Sequence, residues 1–254
     1  MIMNRVFITG ASSGIGAALA AAYAQRGAQV ALVGRRLEAL AAVKSKFPQD
    51  AGHYVYAVDV CDRTALHDAA ADFLSGGPVD IVIACAGISV GNLTEEPADY
   101  PVFESIIETN LNGTVATFEP FIPSMKQRGQ GRLVGIGSVA GVRGLPGAGA
   151  YSASKAAVRN YCESLRVELR GSGVKVITLV PGYIQTPMTA RNPYRMPFLM
   201  PVDEFAQHAV RAIDAGGSYK VIPWQMAWVA RILPLLPNRV YDFLSVRGGR
   251  KPRQ

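Results

Sequence analysis

A tyrosine and a lysine stand four residues apart in the run Tyr151-Ser-Ala-Ser-Lys155, and Ser138 precedes them. If Tyr151 opens a helix, the phenol and the ammonium lie on one face of it. A free tyrosine has a pKa of about 10, so bringing it to neutrality takes roughly 3 units, or about 4 kcal/mol, of phenolate stabilisation. A nearby positive charge supplies part of that stabilisation. The pair is a candidate for acid–base chemistry, the alternative being a surface Tyr–Lys pair without function.

Ser138 follows an apolar run, Leu133 to Gly137, that is typical of a buried strand. Its hydroxyl could complete an oxygen-binding site beside the phenol. The stretch from Gly137 to Leu169 therefore combines candidate catalytic groups with the pattern of a long helix. The remaining elements must position this stretch and whatever reacts with it.

A glycine-rich turn links the first predicted strand, Asn4 to Thr9, to an alanine-rich helix. Gly10 permits the tight turn, Gly14 lets backbone amides approach a pyrophosphate, and Gly16 lets the helix pack against the strand. The helix amino terminus attracts the anion. The pattern predicts a dinucleotide-binding turn, the alternative being a glycine-rich loop of no function. Two hydroxyls of the same turn, those of Ser12 and Ser13, could add donors.

The second predicted strand, Gln29 to Val33, leads into Arg35 and Arg36 instead of an acidic residue. A carboxylate there would bind the ribose diol of NAD, whereas two guanidiniums match a 2′-phosphate. The sequence therefore predicts NADP(H) as the cofactor. The alternative is a solvated charge pair opening the next predicted helix, Leu37 to Phe47, where a cation at the amino terminus is mildly unfavourable.

Strand and helix patterns alternate along the rest of the chain. Further strands are predicted at His53 to Val58, Asp80 to Ala84, Lys175 to Val180 and Tyr219 to Ile222, and further helices at Arg63 to Leu74, Glu104 to Met125 and Val202 to Ala215. This alternation predicts an α/β fold, a Rossmann-type doubly wound parallel sheet with helices on both faces, in a single domain. Ligands of such sheets bind at the carboxyl ends of the strands. The residues that fall at the predicted carboxyl ends are Gly10, Arg35, Asp59, Gly87, Ser138 and Pro181.

The role of Asp59 has two interpretations from the residues alone. Its carboxylate could accept from an adenine amino group, or it could cap the helix that follows. Asn110, inside a predicted helix, is by its position alone a solvated or core-bonded residue.

From about Arg5 to Ile222 the chain resembles the short-chain dehydrogenase/reductase family, in its compact single-domain branch. The motifs that carry the resemblance are, in order, Thr9-Gly10-x3-Gly14-Ile15-Gly16, Ala86-Gly87, Asn110, Ser138, Tyr151-x3-Lys155 and Pro181-Gly182. The resemblance implies that Tyr151 is the catalytic acid/base and that Ser138 binds the substrate carbonyl. It implies that Lys155 lowers the pKa of Tyr151 and binds the nicotinamide ribose. Asn110 would hold a water in a proton relay to Lys155, and Thr186 would hold the nicotinamide carboxamide.

The chain departs from the family at Cys85, where the family commonly has asparagine. A thiol cannot donate and accept as a carboxamide does, so the local contacts that brace the sheet are in doubt. The residues expected to bind the cofactor are Gly10, Ser12, Ser13, Gly14, Ile15, Gly16, Arg35, Arg36, Asp59, Val60, Ala86, Gly87, Tyr151, Lys155, Pro181, Gly182, Ile184 and Thr186. We expect no metal site, because His53, His67 and His208 are scattered and none lies in a ligand pattern with a cysteine.

These features predict an NADP(H)-dependent oxidoreductase that interconverts a carbonyl compound and its alcohol. The alternatives are a non-catalytic NADP(H)-sensing protein of the same fold, and an epimerase or dehydratase. The predicted loop from Gly182 to Pro201 suits a hydrophobic, elongated substrate, unless its side chains merely pack the loop on the body. Its large side chains are Tyr183, Met188, Tyr194, Met196, Phe198, Leu199 and Met200.

Charge and composition narrow the class of protein. The 254 residues carry a net charge of +7, but four of the cations lie in the last eight residues, which leaves about +3 for the body. We therefore expect no nucleic-acid partner. Three cysteines without CxxC spacing indicate reduced core thiols in a cytoplasmic protein. Only Met1 to Met3 precede the first predicted strand, and no run reaches about 18 apolar residues, so we expect neither a signal peptide nor a membrane span.

The chain's end is predicted to differ from its body. Residues 1–222 are expected to form the dinucleotide-binding and catalytic domain, and residues 223–254 an apolar segment and basic tail packed on or appended to it. An apolar stripe at helical spacing favours packing on the body or on a second subunit, in a homodimer or homotetramer, over peripheral membrane contact. The stripe consists of Met226, Val229, Leu233 and Leu236, and the tail cations are Arg247, Arg250, Lys251 and Arg253.

Overall fold

The sheet that organises the chain has seven parallel strands. A computed structural model describes residues 5–48, 52–246 and 251–253. The strands of this sheet are β1 (Arg5–Thr9), β2 (Gln29–Gly34), β3 (Tyr54–Ala57), β4 (Ile81–Ala84), β5 (Gly131–Ile136), β6 (Val174–Pro181) and β9 (Tyr219–Ile222). Their order is β3-β2-β1-β4-β5-β6-β9, and a separate short pair joins β7 (Ile184–Gln185) to β8 (Met200–Pro201). This confirms the predicted Rossmann-type doubly wound sheet, with β9 at one edge.

Helices cover both faces of the sheet. They are α1 (Gly14–Gln25), α2 (Leu37–Lys44), α3 (Arg63–Ser75), α4 (Tyr100–Ile107), α5 (Gly113–Phe118), α6 (Ile122–Arg128), α7 (Gly149–Glu168), α8 (Val202–Ala215), α9 (Trp224–Ile232) and α10 (Asn238–Val246). Successive strand residues point to opposite faces. Thus Val6 and Ile8 pack in one core cluster with Phe205, while Phe7 packs in the other with Phe73. Burial on both faces explains why the strands read as continuous apolar runs.

The single helix predicted from Glu104 to Met125 is wrong. The structure divides this stretch among α4, a π turn at Glu108–Asn112, α5, a 3₁₀ turn at Glu119–Phe121 and α6. Pro120 lies in the 3₁₀ turn and Pro123 in the first turn of α6, and neither can donate a helical hydrogen bond. Near the π turn, the Thr114 hydroxyl donates to the Asn110 carbonyl at 2.7 Å, a contact that competes with regular helical bonding.

The carboxyl-terminal helices pack on the body. Met226 is buried against Val139, Val180 and Val221, and Val229 packs on the same cluster. This part of the apolar stripe therefore faces the chain's own core. Outward-facing side chains of α9, α10 and the turn between them remain exposed, among them Trp224, Trp228, Ile232, Leu235, Phe243 and Val246. Within residues 5–48, 52–246 and 251–253, no helix has both the length and the apolar content to cross a membrane.

The Arg143 side chain holds the turn after α9 through the carbonyl oxygens of Leu233 and Leu236. Both accept from Arg143 Nη1, at 3.3 and 2.8 Å.

Asn4, at the start of the first predicted strand, lies outside the described residues, as do the tail cations Arg247 and Arg250.

The three cysteines are free thiols in different environments. Cys162 is buried in the core, Cys85 is half-buried at the end of β4, and Cys61 is exposed. The prediction of a core position is therefore wrong for Cys61, which lies in the turn before α3.

Candidate active site

The glycine-rich turn lies at the carboxyl end of β1, against the end of β4. Gly10 has φ +69°, and a Cβ on it would lie 2.7 Å from the backbone nitrogen of Ala86. Gly14 has φ +56°, and a Cβ on it would lie 3.4 Å from the nearest atoms of the Thr186 side chain. Both positions therefore favour glycine, because each has a positive φ that L side chains rarely adopt, and at Gly10 a Cβ would also collide with the main chain at Ala86.

Two arginines close one end of this cleft. Arg36 Nη2 donates to Ser12 Oγ at 3.2 Å and to Ser13 Oγ at 3.4 Å. Arg35 Nη1 lies 3.7 Å from Asp59 Oδ2. Both guanidiniums are exposed, so they can turn toward an anion that binds on the glycine turn.

Asp59 does not cap the helix that follows it. The cap of α3 is Asp62, whose carboxylate accepts from the Ala65 amide at 3.0 Å. Asp59 instead accepts from the Cys61 amide at 3.1 Å and lines the cleft. The capping interpretation is therefore wrong, because the chain makes one more turn before the helix starts.

The bracing contacts at Cys85 come from the neighbouring strand. Thr9 Oγ1 accepts from the backbone amides of Cys85 and Ala86, at 3.2 and 3.4 Å. The contacts that brace the sheet at Cys85 are thus made by the main chain and a threonine hydroxyl, and not by the Cys85 side chain. Burial raises the pKa of the Cys85 thiol to about 12, so it is neutral at physiological pH.

Asn110 is fully buried in the π turn. Its Oδ1 accepts from the Ile88 amide at 2.8 Å, and its Nδ2 donates to the Ile88 carbonyl at 3.0 Å and to Ser154 Oγ at 2.9 Å. This carboxamide holds the backbone just after Gly87 against α7. Asn110 therefore acts in this structure on the loop that follows β4, and its predicted water relay stays a prediction.

Ser138 and Tyr151 form a hydroxyl pair. Ser138 caps the 3₁₀ turn Val139–Gly141, where its Oγ accepts from the Ala140 amide at 3.1 Å. The Ser138 side chain also lies close enough to the Tyr151 phenol to influence its pKa. Burial raises the pKa of Tyr151, and the contact with Ser138 opposes that shift in part. The two oxygens offer donors to one substrate oxygen.

Lys155 is buried one turn after Tyr151 on α7. Its Nζ donates to the Ile136 carbonyl at 2.8 Å and lies 5.8 Å from the centroid of the Tyr151 ring. Burial lowers the pKa of Lys155 to about 8. Burial dominates the pKa of Tyr151 in this structure, and the ammonium is directed at the strand carbonyl. That Lys155 lowers the pKa of Tyr151 stays a prediction.

One cleft collects the predicted site residues, with the exception of Asn110, which lies behind its wall. Those lining it are Gly10, Ser12, Ser13, Gly14, Ile15, Gly16, Arg35, Arg36, Asp59, Val60, Ala86, Gly87, Ser138, Tyr151, Lys155, Pro181, Gly182, Ile184 and Thr186. The lining fits a dinucleotide in that Gly14 and Gly87 bring bare main chain to the cleft. A Cβ on Gly87 would lie 3.2 Å from Asn110 Oδ1 and 3.5 Å from Lys155 Nζ.

Two polar groups in or beside the cleft were not predicted from the sequence. Thr189 Oγ1 accepts from the Thr186 amide at 3.0 Å and donates to the Ile184 carbonyl at 2.6 Å, which fixes the loop after β6. The Thr186-Pro-Met-Thr189 spacing is a local signal that could have revealed it. The other is Lys251, whose Nζ lies 5.6 Å from the centroid of the Tyr151 ring. No local pattern indicates this long-range approach.

The chain is similar to proteins of one family of known enzymes. Residues 4–195 match the family described as short chain dehydrogenase. An oxidoreductase of Myxococcus xanthus (strain DK1622) is 39% identical over 251 residues, or 97% of this chain and 98% of that protein. The 2-dehydro-3-deoxy-L-rhamnonate dehydrogenase (NAD(+)) of Sphingomonas sp. (strain SKA58) is 40% identical over 189 residues, or 73% of this chain and 74% of that protein. A short chain dehydrogenase of Burkholderia cenocepacia J2315, solved in complex with NADP, superposes with a TM-score of 0.81 over 97% of this chain and 98% of that chain, at 26% identity.

Proposed function

The chain belongs to the short-chain dehydrogenase family and is an oxidoreductase of that family, and we propose that it uses NADP(H) to interconvert a carbonyl compound with an apolar body and its alcohol. The observation that carries this proposal is the hydroxyl pair of Ser138 and Tyr151 beside Lys155. A binding protein without turnover has no need of two hydroxyl donors that converge on one point. An epimerase or dehydratase is the weaker alternative within enzymes.

When bound, the nicotinamide supplies or accepts the hydride. The Ser138 hydroxyl donates a hydrogen bond to the substrate oxygen and orients it. Tyr151 transfers its phenolic proton to that oxygen during reduction. The raised pKa of Tyr151 keeps the phenol protonated, which is the form that reduction requires. The buried ammonium of Lys155 stabilises the phenolate left behind, since opposite charges attract strongly in a dry site.

The cofactor preference is supported by the charges at the end of β2. Arg35 and Arg36 stand beside Ser12 and Ser13, where a 2′-phosphate would gain charge-assisted hydrogen bonds. The solved Burkholderia protein holds NADP, whereas the Sphingomonas relative is named for NAD(+). We therefore propose NADP(H), with NAD(H) as the competing cofactor.

An apolar body for the substrate is supported by the segment from Tyr183 to β8. Tyr183 and Tyr194 stack edge to face with ring centroids 6.5 Å apart, and Met188 lines the cleft. Such flat and flexible side chains suit a hydrophobic molecule.

The proposal is tested with a panel of aldehydes and ketones of graded hydrophobicity, following nicotinamide absorbance with NADPH and with NADH. We expect turnover of apolar members, faster with NADPH. Protein that binds NADPH but reduces no member would favour the sensing protein or the epimerase. Turnover that is faster with NADH would leave the assignment as an oxidoreductase intact and make NAD(H) the preferred cofactor.

We also propose that the chain is a homodimer or homotetramer, because α9 and α10 expose Trp224, Trp228 and Phe243. Analytical ultracentrifugation of the full chain measures this. A monomer that co-sediments with anionic vesicles at low salt would instead support peripheral membrane contact.

A further inference from the structure

The carboxyl-terminal residues 251–253 lie on the loop that follows β4. The Gly91 amide donates to the Pro252 carbonyl at 3.0 Å, and Gly91 and Arg253 form a parallel bridge. Gly91 is buried, and a Cβ on it would lie 2.5 Å from the Pro252 oxygen and would also collide with the Lys251 carbonyl. The glycine thus creates the space that this short segment occupies.

An ion pair anchors the segment. Arg253 Nε and Nη2 donate to the two carboxylate oxygens of Asp99, at 2.9 and 3.1 Å, and Nη1 lies 3.5 Å from Glu96 Oε1. Asp99 is buried and also accepts from the Leu93 amide at 2.8 Å. A two-pronged pair of this kind fixes the direction of the segment as well as its position.

The anchor places the Lys251 ammonium beside the catalytic tyrosine. Its Nζ donates to Ser89 Oγ at 2.5 Å and lies 5.6 Å from the centroid of the Tyr151 ring. The side chain is half-buried, and burial lowers the pKa of Lys251. Within the part of the chain that the structure describes, no carboxylate lies within 4.0 Å of this ammonium.

A half-buried cation without a counter-ion is unfavourable, and a ligand anion at the same place would remove that cost. Lys251 reaches Tyr151 from the loop beyond Gly87, where Ser89 is its hydrogen-bond partner, whereas Arg35 and Arg36 follow β2. A molecule whose carbonyl oxygen rests on Ser138 and Tyr151 can therefore extend an anionic group to Lys251.

We propose that Lys251 is a specificity-determining residue that binds a carboxylate on the carbonyl substrate, so that the preferred substrate is an oxo acid with an apolar body. This inference rests on the proposed carbonyl reduction and narrows its substrate class. The alternative is that the Lys251 to Ser89 bond only fastens the chain end.

The test compares each carbonyl acid with its methyl ester, using terephthalaldehydic acid and succinic semialdehyde. The quantity measured is the ratio of kcat/KM for the acid to that for the ester. We expect Lys251→Met to lower this ratio about ten- to a hundredfold, the range for a charge-assisted hydrogen bond. Lys251→Arg should largely retain the ratio, and Lys126→Met, at an exposed position on α6, should leave it unchanged.

Two further variants address the position of the segment. Gly91→Ala and Arg253→Ala should lower the ratio in the same direction as Lys251→Met, since each displaces the ammonium. An unchanged ratio in Lys251→Met overturns the proposal, also when Gly91→Ala has an effect, because the segment would then act by shape and not by charge.

A binding measurement separates this inference from the reaction. Calorimetric titration of the NADPH-loaded protein with benzoate and methyl benzoate needs no turnover. Benzoate that binds more tightly than its ester, with the difference lost in Lys251→Met, supports the anion site. If no carbonyl compound is reduced, the proposed function is wrong, but this binding result still stands. Benzoate binding no tighter than that of the ester in the unmutated protein overturns the inference.

Discussion

The Lys155 ammonium donates to the carbonyl oxygen of Ile136 at 2.8 Å, and both groups are buried where β5 meets α7. The carbonyl satisfies one of three N–H donors but cannot neutralise the charge. Burial consequently dominates, and the pKa of Lys155 falls to about 8 from its ordinary 10.5.

This depressed pKa predicts a pH-dependent stability. Between about pH 8 and pH 10.5 the unfolded chain keeps a proton that the folded chain has released, so the free energy of unfolding rises with pH across that window. Below it, the buried charge costs on the order of 3 kcal/mol. Lys155→Met removes the cost. We expect urea denaturation to give the variant a larger free energy of unfolding than the unmutated protein below about pH 8, and a nearly equal one at about pH 10.5.

The control for this experiment is Lys126→Met, on an exposed face of α6. Its difference from the unmutated protein should not change with pH. A difference between Lys155→Met and the unmutated protein that is constant over the same window would show that Lys155 keeps an ordinary pKa.

Tyr151→Phe removes the proton donor and keeps the ring. We expect kcat to fall about 10²- to 10⁴-fold, the range of general acid catalysis, with NADPH affinity nearly unchanged. Steady-state kinetics and NADPH fluorescence titration measure the two quantities. Tyr219→Phe, at the edge strand β9, is the matched control. Activity of the Tyr151 variant above roughly a tenth of that of the unmutated protein would exclude the assigned role.

The sheet and the rim of its carboxyl ends could be predicted from the sequence because they depend on local patterns. Apolar runs, the Gly10 turn and the Tyr151 to Lys155 spacing each specify an element or a turn within a few residues. The position of Lys251 beside Tyr151 could not be predicted, since it depends on Arg253 meeting a buried Asp99 from a distant part of the chain. The broken helix depended on Pro120 and Pro123, which the apolar periodicity conceals.

The pKa of Tyr151 shows a second limit of sequence reasoning. A Tyr–Lys pair on one helix face predicts attraction between phenolate and ammonium. The spacing does not show how much water each group loses, nor that Ile136 offers the lysine another partner. The direction of a pKa depends on the sum of these effects.

Replacing Arg35 and Arg36 together by alanine tests the cofactor site. If they bind the 2′-phosphate, the unmutated protein should bind NADPH more tightly than NADH by about 1.5–3 kcal/mol, or roughly ten- to a hundredfold. The double variant should bind both alike. Arg170→Ala, an exposed arginine after α7, should retain the preference. Equal affinities of the unmutated protein for the two cofactors would leave the arginines as surface charges.

Asn110 and Asn112 provide a comparison within one π turn. The Asn110 carboxamide makes three hydrogen bonds in a fully buried position, two of them to the backbone of Ile88. The exposed Asn112 side chain donates to Glu108 at 2.5 Å. Asn110→Ala leaves the partly buried backbone groups of Ile88 unsatisfied, at a cost of about 1–3 kcal/mol, whereas Asn112→Ala should change stability by about 0.5 kcal/mol or less.

The same comparison extends from stability to activity. Because Asn110 holds the residue that follows Gly87 against α7, its loss should weaken NADPH binding and lower kcat/KM together, while the Asn112 variant keeps both. Urea denaturation and NADPH titration of the two variants measure this. If Asn110→Ala lost stability but bound NADPH as the unmutated protein does, Asn110 would brace the fold alone. If it lost neither, water would have replaced the carboxamide, and the clamp on Ile88 would not be needed to shape the cleft.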